Sequence, residues 1–218
     1  MKLPLKNILR KQAQVSLAQL QDEAVDVMYA IVPSAVLHGG TAIWRCYSGN
    51  RFSEGLDFYS AVGKDFEEKL LAESKKRGLT VSKFRKTGNS VYAKLFDGQS
   101  EVSLEVAGRK PKNSVFAQYE KIDGSILNIF SLSKEDLIVE KASAFLNRKL
   151  IRDVYDVYFL SSSTDLSRIR KEIGSFIDKA PMPVDEKNLK ALLYSGATPS
   201  FQQMLNAIKL RIKRGESK

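Results

Sequence analysis

"LHGGTAIWRCYSGNRFSEGLDFY", residues Leu37 to Tyr59, is the stretch on which the reading of this chain turns. A short apolar strand, "AVLH", runs into Gly39, Gly40 and Thr41, and an amphipathic helix follows from Thr41 to about Tyr47. A loop containing Gly49 and Asn50 leads to a second strand, "LDFYS". Glycines between a strand and a helix leave the first helical amides free and let a phosphate approach the positive helix end. They also serve purely steric ends, with Thr41 acting only as an N-cap. In the second strand the side chains alternate, which sends Leu56 and Phe58 to the core and Asp57 and Tyr59 the other way.

Working outward, residues from about 6 to 30 have apolar positions at three and four spacing and read as one helix, ended by Pro33. "KDFEEKLLAESKKRG" is an amphipathic helix closed by Gly78. "LTVSKFRK", "SVYAKLF" and "SEVSLEVAG" alternate and are separated by the hairpin turns "TGN" and "DGQ"; "GSILNIFSL" is a further strand. Beyond Ser133 the pattern is helical, over about 133–148, 151–161, 165–179, 186–194 and 198–213. The prediction is an α+β chain. A mixed or antiparallel sheet flanked by helices occupies 1–132, and a helical lobe occupies 133–218.

In "SEVSLEVAG", Val102, Leu104 and Val106 share one face and Glu101, Ser103 and Glu105 the other. If this strand neighbours "LDFYS", Asp57 and Glu105 converge on a divalent cation, because Mg²⁺ prefers one or two carboxylates plus phosphate oxygens. The alternative is a half-exposed sheet whose outer face is acidic. Farther on, Lys141 interrupts an apolar stripe that includes Leu137, Ile138, Ala142 and Phe145, so it is snorkelling, paired or functional. In "RDVYDVYFL", Asp153 and Asp156 share a face. Asp153 is favoured by the helix dipole, and Asp156 is spaced for a pair with Arg152. His38 and Cys46 read as core residues outside any mechanism.

The 218 residues, 43% hydrophobic and 28% charged, are those of an ordinary globular chain with no apolar run long enough for a bilayer. "MKLPLKNILRKQ" lacks the apolar stretch of a secretory signal, and a single cysteine allows no internal disulfide, so the expected compartment is the cytoplasm, without membrane partners. A net charge of +10 biases the protein toward polyanions. Local basic excesses lie at Lys2, Lys6, Arg10 and Lys11, at Arg109, Lys110 and Lys112, and at Lys209, Arg211, Lys213 and Arg214.

The order of these pieces resembles the AbiEii/AbiGii toxin-like nucleotidyltransferases, the toxin half of type IV toxin–antitoxin modules within the polymerase β-like superfamily. The elements carrying the resemblance are a helix, apolar-Gly-Gly-Thr, "NRFSEGLDFY", an apolar-Glu-apolar strand, and Lys141 followed by "RDVYDVYFL". The resemblance implies a nucleotidyltransferase-type fold. It also implies NMP transfer from an NTP to an acceptor hydroxyl on RNA, such as the tRNA 3′ end, with Mg²⁺ or Mn²⁺ as cofactor and an AbiEi-type antitoxin as partner. Gly39, Gly40, Thr41, Arg51, Ser53 and Lys141 are then the nucleotide-binding residues, Asp57 and Glu105 the metal ligands, and Asp57, Lys141 and Asp153 the catalytic group. The family pattern reads Ser, any residue, Asp, apolar, Asp, whereas this chain reads Ser53, Glu54, Gly55, Leu56, Asp57. The first acid is absent. The alternative expectation is therefore a catalytically degenerate fold that binds nucleotide, RNA or an antitoxin.

Overall fold

The computed structural model describes residues 3–109, 111 and 113–214. Lys2, Lys110 and Lys112 of the basic clusters lie outside the described residues. The chain divides into two compact units, Met1–Cys46 with Phe52–Leu132, and Tyr47–Arg51 with Ser133–Lys218.

The first unit runs α1 (Leu5–Ile8), α2 (Gln12–Ile31), β1 (Val36–His38), α3 (Gly39–Cys46), β2 (Leu56–Tyr59), α4 (Phe66–Lys76), β3 (Thr80–Thr87), β4 (Ser90–Phe96), β5 (Glu101–Ala107), β6 (Ser114–Glu120) and β7 (Ile126–Leu132). The strands form one seven-stranded sheet in the order β3-β4-β5-β2-β1-β7-β6. It is mixed: β2 pairs with β5 in parallel, as does β1 with β7, and the remaining neighbours are antiparallel.

Period-two patterning places Val91, Ala93, Leu95, Val102, Leu104 and Val106 in the core. Helix α2 packs on β5 and α4, and α4 packs on β3, which closes that face. A buried polar network fastens α3 to its neighbours. The Arg45 guanidinium lies 3.1 Å from Asp22 and donates to the Ala18 and Glu120 carbonyls, while Tyr119 Oη and the Ile122 amide donate to Asp22. Burial outweighs the Arg45 charge and holds the Asp22 carboxyl above its ordinary range.

The second unit holds α5 (Lys134–Arg148), α6 (Ile151–Ser161), α7 (Arg170–Lys179), α8 (Leu189–Leu192) and α9 (Phe201–Arg214). Ser133 caps α5 by accepting from the Asp136 amide. The Tyr47–Arg51 segment is stitched in by Asn50, which donates to the Ser195 carbonyl and accepts from Tyr155 Oη. An Arg51 to Leu193 β-bridge completes the attachment.

Three local expectations change. The helix expected over 6–30 is broken at 9–11, where Leu9 and Lys11 are extended; Leu5 and Leu9 are buried and the Lys6 amide donates to the Ile122 carbonyl, so tertiary contacts override the periodicity. Strand β6, "SVFAQYE", is not anticipated by the sequence, and it is fixed by its full register with β7. The helices expected over 165–179 and 186–194 each begin with a 3₁₀ turn, at Ser167–Ile169 and Glu186–Asn188.

Candidate functional site

In the first unit β2 and β5 are neighbours, and their parallel register sets Asp57 opposite Glu105. His38 on β1 is opposite Asp57 on the other side. Burial, and then the Asp57 charge, push the Glu105 carboxyl above its ordinary range, with His38 opposing. That repulsion is what a divalent cation would relieve, so two carboxylates on one face fit the hard-oxygen preference of Mg²⁺ or Mn²⁺. Among the described residues no cluster of three or more His, Cys, Asp and Glu side chains has metal-binding geometry.

The Gly-Gly-Thr turn is placed by this pair. Gly39 and Gly40 are the first residues of α3 rather than a loop before it. Gly39 has φ +72°, and a Cβ there would stand 2.3 Å from Asp57 Oδ2. Thr41 is buried and its hydroxyl donates to the Gly55 carbonyl at 2.6 Å. Gln21 of α2 donates to the Ser53 and Glu54 carbonyls at 2.7 and 2.9 Å. Three successive carbonyls ahead of β2 are thus held from α2 and α3, and Ser53 is located by its main chain.

Gly55 lies against β5, where an added Cβ would meet Ser103 Oγ at 2.9 Å. A side chain at 55 would therefore project on the face of Ser103 and Glu105, while Glu54 next to it is exposed. His38 is stacked on Tyr59 at 3.7 Å between centroids and 7° between planes, and the Arg109 guanidinium lies 4.0 Å from the Tyr59 ring centroid. Burial pushes the Cys46 thiol up to about 12, against the lowering effect of Arg45. The thiol is thus held protonated near neutrality, unlike an activated cysteine.

The second unit carries a charged cluster of its own residues. Arg51 donates from Nε and Nη2 to the two oxygens of Asp156, both at 2.7 Å. Lys141 Nζ is 2.9 Å from Asp156 and 3.6 Å from Asp153, and Arg148 grips Asp153 through two bonds of 2.7 Å. Arg51, Lys141, Asp153 and Asp156 are all buried. Arg51 followed by Lys141 hold the Asp156 carboxyl below its ordinary range, overcoming burial. Three cations face two carboxylates, so the cluster carries surplus positive charge.

Lys141 is paired, one of the three outcomes its sequence position allows. Asp156, expected opposite Arg152 on the helix surface, instead turns inward to Arg51 and Lys141. Sequence reasoning did not single out Gln21, Ser103 or Arg148. No local signal marks them, because each acts on a partner brought up by the fold or by a helix junction.

Known structures share the fold of this chain. The crystal structure of JHP933 from Helicobacter pylori aligns with a TM-score of 0.65 at 20% identity, covering 96% of each chain. MenT4, the nucleotidyltransferase toxin Rv2826c from Mycobacterium tuberculosis H37Rv, aligns with a TM-score of 0.60 at 17% identity, covering 95% of this chain and 86% of that one. No curated protein matches.

The family model for the nucleotidyl transferase AbiEii toxin of type IV toxin–antitoxin systems matches residues 30–218. The chain belongs to this family and is a nucleotidyltransferase of the AbiEii toxin type. The family implies a nucleotide substrate and an antitoxin partner, and nucleotidyltransferases of this kind use an NTP with a divalent metal. Among the described residues no helix is long and apolar enough to cross a membrane.

Proposed function

We propose that the chain transfers an NMP to an acceptor hydroxyl of RNA, such as the 3′ end of tRNA, and that Asp57 and Glu105 hold the divalent metal. The observation that supports this reading most is the Asp57–Glu105 register on β2 and β5, with the Glu105 carboxyl raised by burial and by its neighbour. The metal, when bound, neutralises charge on the phosphates. Gly39 leaves room for Asp57, while Gln21 and Thr41 hold the backbone ahead of β2, so the acid is presented without reorganisation. During transfer the acceptor oxygen bonds to the α-phosphorus, the bond to the pyrophosphate oxygen breaks, and the hydroxyl proton passes to solvent. The first amides of α3, at Gly39 and Gly40, are proposed to meet phosphate. Lys141 is proposed as a phosphate-facing cation positioned by Asp153 and Asp156. An AbiEi-type antitoxin is the proposed partner, and the cytoplasm the proposed compartment.

Incubation with each radiolabelled NTP, total RNA, and Mg²⁺ or Mn²⁺ tests the proposal. Label should appear in RNA with the wild type and disappear with Asp57→Asn. No transfer with any NTP and either metal would sink it.

Gly55 favours a second reading, a degenerate fold that binds nucleotide, RNA or antitoxin without turnover. The acid expected there is missing, and Ser103 Oγ stands where its Cβ would press.

A further inference from the structure

One row of side chains crosses five strands. Arg85 on β3 is opposite Tyr92 on β4, Tyr92 is opposite Glu105 on β5, Glu105 is opposite Asp57 on β2, and Asp57 is opposite His38 on β1. Directly opposed residues project from the same face of a sheet. The other face is filled by the buried set from Val91 to Val106, so this row lies on the open face.

Its chemistry changes along its length, from the acid pair through an aromatic ring to a guanidinium. Tyr92 is half-buried and Arg85 exposed. Lys83 Nζ lies 5.4 Å from the Tyr92 ring centroid. The other nearby lysines are committed, Lys94 to Glu101 and Lys86 to the Gly63 carbonyl. Among the described residues the Arg85 side chain makes no hydrogen bond or ion pair. A cavity of about 160 Å³ opens at this place, lined in part by Arg85, Ser90, Tyr92 and Glu105.

A flat ring with Lys83 over it and Arg85 beside it suits an unpaired base followed by backbone phosphates, whereas a base already stacked in a duplex offers no face to the ring. Adjacent strands are about 4.8 Å apart, so the Tyr92 and Asp57 positions are about 10 Å apart, the scale of one nucleotide. We propose that the β3–β4–β5 face is the platform for the acceptor strand. The terminal base of a single-stranded RNA stacks on Tyr92, its backbone phosphates meet Arg85 and Lys83, and its 3′-hydroxyl is directed toward Asp57 and Glu105. The assignment rests on the RNA reading above and names the residues that would select the strand.

Fluorescence anisotropy of a short labelled single-stranded RNA with the full chain tests it, across salt concentrations and alongside KM values from the labelling assay. Tyr92→Ala should weaken RNA binding roughly ten- to one-hundred-fold, with Tyr92→Phe retaining it. Arg85→Ala should lower the slope of log affinity against log salt by about 0.7, the share of one single-strand phosphate. KM for the NTP should stay at the wild-type value, and duplex RNA should compete poorly. Thermal melts of these open-face variants check that the fold is intact.

Wild-type affinity in both Tyr92→Ala and Arg85→Ala, or duplex bound as tightly as single strand, would overturn the platform while leaving the RNA acceptor standing. A wild type that labels a protein or a small molecule and binds no RNA at low salt would overturn the acceptor class and the platform together. A wild type that binds RNA through Tyr92 and Arg85 but transfers nothing would retain the platform and remove the transfer reading.

Discussion

The carboxylate of Asp57 lies across Gly39, so that a Cβ on that glycine would stand 2.3 Å from Oδ2. The glycine also has φ +72°, where an L side chain is strained. Gly39→Ala should therefore destabilise the fold by about 1–3 kcal/mol and move Asp57 away from Glu105. Urea unfolding and transfer assays read the two effects. An alanine variant with wild-type stability and activity would refute this role.

Gly55 differs from Gly39. Its φ is not in the left-handed region, and the atom its Cβ would meet is a hydroxyl that can rotate. Gly55→Asp should be tolerated and place a third carboxylate beside Asp57 and Glu105. It should tighten Mg²⁺ binding on the order of ten-fold, because affinity follows the ligand charge count. Adding Ser103→Ala relieves the 2.9 Å contact and should increase the gain. If the wild type is degenerate, transfer should appear or rise strongly in Gly55→Asp; robust wild-type activity unaltered by the change would reject that reading.

In the second unit, Arg51→Ala removes the bidentate partner of a buried carboxylate and should cost about 3–5 kcal/mol in a urea titration. Lys141→Met should cost less, because Asp156 retains Arg51 and Asp153 retains Arg148. If Lys141 also meets a nucleotide phosphate, activity should fall by much more than stability does. Losses of equal size would assign the lysine to structure alone.

Asp156 has a folded-state pKa below its unfolded value, so its contribution is present above the unfolded value of about 4 and is lost as pH falls through the lower folded one. Stability of the wild type should decline in that acid window. Asp22 works in the opposite sense: its folded pKa is raised, so its contribution is present below the unfolded value and lost as pH rises through the folded one. Asp156→Asn should flatten the acid limb of a plot of unfolding midpoint against pH. An unchanged slope would show that other carboxylates govern acid unfolding.

Much of this was legible in the chain itself. Alternation in "LDFYS" and "SEVSLEVAG" separated core-facing from open-face residues, and Lys141 stood out because it broke an apolar stripe. The "GGT" and "LDFY" pieces, with Gly55 between them, pointed to a family and to its missing acid. Strand β6 escaped notice because its exposed, mixed side chains carry little pattern, and its pairing with β7 is a backbone property.

Local periodicity is written in single residues and their spacing, so sequence alone determined which faces are apolar, where turns fall and which acids stand isolated. Register is not local. That Asp57 meets Glu105, that Gly39 must clear Asp57, that Thr41 is spent on Gly55, and that Asp156 turns to Arg51 rather than Arg152 were decided only when strands and helices distant in the chain were brought together. The physical reason is burial. A carboxylate taken out of water takes the cation that the fold delivers to it, and a hydroxyl takes the carbonyl that it finds there.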